Sequence, residues 1–195
     1  LRRMRKVLKR LGHTNNEQVI DVKGRVACEV NTADELLVTE LMFSGTFNDL
    51  TVEQIAAMLS CLVFQDRRKE QEGGPQLREN LAGPYRMVQE AARLIAKVSV
   101  EAKLDLDAEE YVQSFNPDLM EAVYEWATGA KFVEVMKLTD AFEGSVIRII
   151  RRLEELLRQL ASASFVIGNK DLKQKFDECA GRMRRDIVFA ASLYL

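Results

Sequence analysis

The residues between Glu143 and Leu160, EGSVIRIIRRLEELLRQL, constrain the fold more than any other part of the chain. Val146, Ile147, Ile149, Ile150, Leu153, Leu156, Leu157 and Leu160 recur at intervals of three and four. That spacing belongs to a helix that buries one face. The opposite face carries Arg148, Arg151, Arg152, Glu154, Glu155, Arg158 and Gln159. Within it, Arg148, Arg152, Glu155 and Gln159 follow a +4, +3, +4 ladder and so lie along one line of the helix surface. A core helix with a charged rail is the expectation, and what the rail touches is the functional question.

The rest of the chain supports a mainly α fold: a multi-helix bundle around one long helix, with a short β segment near the N-terminus. A chain of 195 residues fits one domain of ordinary size. Hydrophobic residues make up 47% and there are three prolines, which argues against disorder. The 28 basic and 30 acidic residues nearly balance, so total charge does not mark a nucleic-acid binder and its distribution matters more. Cys28, Cys61 and Cys179 lie far apart with no CxxC pair, and are expected as buried hydrophobes in a reducing compartment. No apolar run approaches the roughly eighteen residues of a membrane span. The chain opens without methionine and already in a helical pattern, which suggests a piece of something longer.

From the start, Leu1 to Leu11 reads as a basic amphipathic helix closed by Gly12. Its six basic residues suit phosphate, an acidic partner or plain solvation. His13 has no second His or Cys near it, so no metal or catalytic role is expected. Val19 to Val30, rich in β-branched residues, reads as a short strand bent at Gly24. Asn31 or Thr32 should cap a helix running to about Ser44, and Thr51 with Gln54 resembles a capping box for the next. Arg67 to Gln76 is the most loop-like stretch. Leu77 to Leu104 reads as a long helix kinked or split at Gly83–Pro84. Asp107 caps a short helix, and Pro117 starts another that carries Trp126, a core residue by its spacing. Lys131 to Leu138 followed by the long helix has the order of a helix-turn-helix. After Gly168, Asn169 or Asp171 starts the final amphipathic helix, which ends in apolar IVFAASLYL.

Signatures of catalysis are missing. There is no GxxxxGK[ST], no GxGxxG after a strand, no HExxH, no GxSxG and no metal-spaced Cys/His set. Salt bridges and helix dipoles account for the pairs Glu109–Glu110 and Glu154–Glu155. No catalytic residue and no metal ligand is therefore assigned.

Several strings in order resemble a known family: KGRVACEV, DELLVTELMF, FNDL, AVYEWATGAKF, TDAFEGSVIR, RRLEELLRQL and RDIVFAASLYL. They are similar to the C-terminal DSHCT region of superkiller-type DExH RNA helicases, across the whole chain apart from Arg67 to Gln76. FNDL, TDAFEGS and the SLYL ending look closer to the nuclear exosome-associated (TRAMP) type than to its cytoplasmic relative. The resemblance implies that residues 1–16 join to preceding helicase modules and that 17–195 form the DSHCT helical domain. It makes the helix of about 140–166 the ratchet helix, lying across the exit of single-stranded RNA. It implies an ATP-dependent 3′–5′ RNA helicase that feeds RNA to the exosome in RNA processing and decay. ATP and Mg would belong to absent RecA-like domains, and this piece would be inactive alone. The implied partners are single-stranded RNA, the helicase's own RecA-like and winged-helix domains, the exosome and adaptor proteins, with a nuclear location, or a cytoplasmic one for the superkiller relative. Arg152 and Glu155 match family positions that face RNA bases. Asp66 aligns with a position that usually holds glutamate, and its side chain is one methylene shorter. Arg148, one turn before Arg152, is added from its place on the rail. The competing readings are a purely structural scaffold and a helix-turn-helix module built from Lys131 to Leu160.

Overall fold

The structure is a computed structural model that describes residues 1–17, 20–65 and 74–185. Among them are ten α-helices, and β pairing is limited to one isolated antiparallel bridge between Thr14 and Ile20. The helices are α1 (Arg2–Arg10), α2 (Val22–Cys28), α3 (Glu35–Phe43), α4 (Val52–Val63) and α5 (Glu79–Glu101). They continue as α6 (Ala108–Gln113), α7 (Met120–Thr128), α8 (Phe132–Met136), α9 (Glu143–Val166) and α10 (Lys170–Arg184).

Helix α4 is the buried hub, because Ile55 through Val63 offer no charge to solvent and every one of them is buried. Helices α5, α7, α9 and α10 pack against its sides. Its start is a capping box, in which Thr51 Oγ1 accepts from Gln54 N (3.2 Å) and Gln54 Oε1 from Thr51 N (2.9 Å). Helices α9 and α10 fold back on each other as a hairpin. The turn between them places Gly168 at φ +75°, with Asn169 N donating to Ser164 O (2.9 Å) and Gly168 N to Phe165 O (3.0 Å). Asn169 then caps α10 by accepting from Leu172 N (3.1 Å). Phe47 meets Phe176 of α10 edge-on, centroids 5.2 Å apart. Trp126 is core: its Nε1 donates to Met183 O (3.2 Å), and the Arg185 guanidinium lies 3.7 Å from the ring centroid.

The expected β segment is not there. Residues 22–28 form helix α2, with Asp21 as its N-cap accepting from Val22 N. Val22, Val26 and Val30 are four apart, and that interval, not their β-branching, decides the local structure. Gly24 is no bend. It lets α2 lie against the turn after α1, since a Cβ there would come within 2.4 Å of the His13 carbonyl oxygen. That turn buries His13, whose ring nitrogens have no hydrogen-bond partner among the described residues. Lys23 crosses above it, donating to Leu11 O (2.7 Å) and pairing with Glu40.

Other boundaries move for physical reasons. Asp34, not Asn31 or Thr32, caps α3, accepting from Leu36 N and Leu37 N (3.1 Å each). Helix α5 runs unbroken through Pro84. Proline has no N–H to give the carbonyl four residues back, so Asn80 O loses its helical donor. Gln54 Nε2 supplies the missing bond from α4 (2.9 Å). Helix α7 begins at Met120, three residues after Pro117. Cys61 and Cys179 are buried as expected, but Cys28 is exposed on α2. The terminal IVFAASLYL lies outside the described residues.

Candidate nucleic-acid interface

Helix α9 buries all eight apolar residues of its stripe, none more than 6% exposed. Its chief partner is α10, then α4, whereas α7 packs on α4 and α10. The stripe fixes the rotation of α9, so the positions of the rail follow from packing.

The four rail residues divide into two kinds. Arg148 and Glu155 are exposed and have no hydrogen-bond or ion-pair partner among the described residues. Seven residues separate them, about 10 Å along the helix axis. Arg152 and Gln159 turn to the protein instead. Arg152 Nη2 donates to Thr32 O (3.2 Å) and Nη1 to Val63 O (3.4 Å). Val63 ends α4, so this guanidinium supplies a donor to a carbonyl that the helix itself leaves open. Gln159 spends its whole side-chain amide on the turn between α2 and α3. Its Oε1 accepts from Asn31 N (3.1 Å) and Thr32 N (3.3 Å); its Nε2 donates to Asn31 Oδ1 (2.6 Å) and Thr32 Oγ1 (2.8 Å). This is why Asn31 and Thr32 do not cap α3.

Of the two i,i+4 ion pairs the sequence allows here, Glu154–Arg158 forms (3.0 Å) and Arg151–Glu155 does not. Glu154 also holds Arg184 of α10 (2.7 Å), which leaves Glu155 as the open acid. Asp66 lies outside the described residues, so only three of the four candidate positions can be placed. The structure sets Arg148, Arg152 and Glu155 on one face of α9, beside the end of α4 and the Asn31–Thr32 turn.

Past Glu155 the surface dips into a notch of about 250 Å³ lined by Glu29, Glu155, Arg158, Gln159 and Ser162. Glu29 also lines an apolar groove with Ile20, Arg25, Cys28 and Val166. Glu29 and the Gln159 network escaped the reading of the sequence, since nothing local marks a contact across 127 or 128 residues.

Chemically, Arg148 offers a cation for phosphate or for stacking on a base, and Glu155 an acceptor for amine or hydroxyl donors. Among the described residues no group of three or more His, Cys, Asp or Glu side chains is placed to hold a metal ion. Helix α8 packs chiefly on α7, and Phe142, at the turn into α9, is 84% exposed. Residues 137–142 join α8 to α9, a longer connection than the three or four residues of a helix-turn-helix.

The sequence profile of the DSHCT (NUC185) domain matches residues 17–190. The chain is 58% identical over 191 residues to the protein named "Exosome RNA helicase MTR4" of Homo sapiens, covering 98% of this chain and 18% of that protein. It is 57% identical over 191 residues to "ATP-dependent RNA helicase mtr4" of Schizosaccharomyces pombe, covering 98% and 17%. To "DExH-box ATP-dependent RNA helicase DExH9" of Arabidopsis thaliana it is 48% identical over 195 residues, covering 100% and 19%. The chain thus spans under a fifth of the length of these relatives.

Proposed function

Because the chain belongs to the DSHCT (NUC185) domain family, we propose that it is the C-terminal helical domain of an ATP-dependent 3′–5′ RNA helicase. In this reading α9 is the ratchet helix, and single-stranded RNA leaving the ATPase core runs along its exposed face toward the exosome. The names of the relatives, exosome RNA helicase and ATP-dependent RNA helicase, support the activity and the partner. ATP and Mg would bind elsewhere in the longer protein, in RecA-like domains, and this chain would hydrolyse nothing alone. The helicase's other domains and adaptor proteins would complete the assembly, in the nucleus.

The observation that carries this reading is the pair Arg148 and Glu155. Both are exposed and without a partner among the described residues, as is Arg151, whereas Arg152, Glu154, Arg158 and Gln159 are bonded to the protein. A cation and a carboxylate two turns apart can touch a strand without holding it as a wholly basic groove would. Asp66, outside the described residues, joins this proposal through the family resemblance alone.

Arg148→Glu in the full-length enzyme is the test, because Arg148 has no partner among the described residues. RNA-stimulated ATP hydrolysis and unwinding should fall about tenfold, the scale of one lost charge-assisted contact. Unchanged rates would leave α9 as a scaffold. Arg152→Glu is less clean, since it also removes the bonds to Thr32 O and Val63 O.

A further inference from the structure

We infer that the outward face of α5, with the basic surface of α1 beside it, docks an acidic, leucine-bearing helical segment of a partner protein. The inference concerns a different helix from α9 and does not depend on the RNA path.

Helix α5 packs on α3, α4 and α6, and α1 meets its C-terminal end. There Arg10 pairs with Glu101 (2.6 Å) and Arg3 Nη1 donates to Lys103 O (2.8 Å). Away from these contacts α5 leaves Met87 38% and Leu94 45% exposed. The two are seven residues apart, on one line of the helix, and that line leads on to Glu101 and its partner Arg10. Beside it Arg86, Glu90, Arg93 and Lys97 follow a +4, +3, +4 ladder, all exposed. A pair of apolar anchors thus runs along a charged row on a helix face that nothing described covers.

The charge on this surface is one-sided. Arg86, Arg93 and Lys97 have no hydrogen-bond or ion-pair partner among the described residues. Neither do Arg2, Arg5, Lys6 and Lys9 of α1, a helix without an acidic residue. The whole chain carries 30 acidic residues against 28 basic ones, so the positive field belongs to this surface and not to the composition. The backbone marks the same place. Lys103 closes α5 at φ +60°, the left-handed region that glycine enters without strain. A lysine there carries a conformational cost, and it sets one more exposed cation where α5 meets α1.

Cations alone would suit a nucleic-acid backbone as well as a carboxylate-rich peptide, and the apolar line decides between them. Surfaces that take single strands of any sequence stack the bases on aromatic rings. Helix α5 has one aromatic residue, Tyr85, and it is buried; α1 has none. Aliphatic side chains seven residues apart match instead the i, i+3, i+4, i+7 anchors of an amphipathic helix. Met87 and Leu94 would meet the partner's leucines, and Arg86, Arg93 and Lys97 its carboxylates. Glu90 stands among these cations and disfavours a carboxylate opposite it, which selects the register.

The experiment follows the anisotropy of two labelled amphipathic peptides of about 20 residues, roughly 30 Å of helix, added to the full-length protein. One carries a leucine stripe among glutamates; in the other, lysine replaces every glutamate. The glutamate peptide should bind the wild type, more tightly at low salt than at high salt. It should bind Leu94→Ser, and the double variant Arg93→Glu/Lys97→Glu, about tenfold more weakly. The lysine peptide should bind the double variant and not the wild type, a gain that misfolding cannot produce. No binding of the glutamate peptide to the wild type, or equal binding to all three proteins, overturns the inference. So does a double variant that loses affinity for single-stranded RNA and keeps it for the glutamate peptide, since the face would then serve a phosphate backbone.

Discussion

Gln54 donates its side-chain amide to the carbonyl oxygen of Asn80 at 2.9 Å, the acceptor that Pro84 leaves without a helical donor. The same side chain completes the capping box of α4. One glutamine thus starts one buried helix and repairs the next. Gln54→Ala should cost about 1–2 kcal/mol in urea unfolding. Pro84→Ala, which restores an N–H four residues after Asn80, should reduce that cost by about 1 kcal/mol. Strict additivity of the two substitutions would rule out the shared acceptor.

Gly24 is fixed by its neighbour and not by its own dihedrals. A methyl group there would sit 2.4 Å from the His13 carbonyl oxygen and 2.8 Å from Ile20 Cγ2, so α2 would have to move off the turn behind α1. Gly24→Ala should lower stability by about 2–3 kcal/mol, although alanine is the better helix former. A gain in melting temperature would show that α2 does not pack this closely.

Burial holds the His13 imidazole below its ordinary value of 6.5, and the Lys23 ammonium adds to the effect while Glu40 opposes it. The unfolded chain therefore takes up the proton more readily than the folded one. Stability from a neutral His13 is fully present above about pH 6.5 and is lost as the pH falls through the lowered folded value. Urea midpoints should drop as the pH goes from 7 to 5, and less steeply in His13→Leu. Parallel slopes for the two proteins would exclude His13 as the source.

Gln159→Ala should release the Asn31–Thr32 turn. The backbone amides of both residues are held by Gln159 Oε1, so their hydrogen exchange should speed up at least tenfold while α4 stays protected. The rail residues Arg148 and Glu155 should keep their places, because the buried stripe of α9 sets them.

What could be read in advance followed from local rules. Eight apolar residues at helical spacing all proved buried, and Thr51–Gln54, Asp107 and Asn169 cap as their types and positions imply. Helix α2 was misread because its valines suit a strand by type and a helix by interval, and packing on His13 favoured the interval. The rail was visible as a line of residues, but not the bonds that tie Arg152 and Gln159 to the protein and leave Arg148 and Glu155 without a partner among the described residues. Arg152 points to carbonyl oxygens of Thr32 and Val63, and a backbone acceptor leaves no mark in a sequence. Glu29 joins the site only because α2 and α9 meet.

The three thiols are unequal in a way that has practical use. Burial pushes Cys61 and Cys179 far above the ordinary range and out of reach of reagents, while Cys28 is exposed on the wall of the groove beside Glu29 and Val166. A maleimide dye or nitroxide added to this chain would go to Cys28 without any engineered residue. Its emission or mobility would then report whether a strand enters the space between α2 and α9, turn by turn, while the buried pair stays silent.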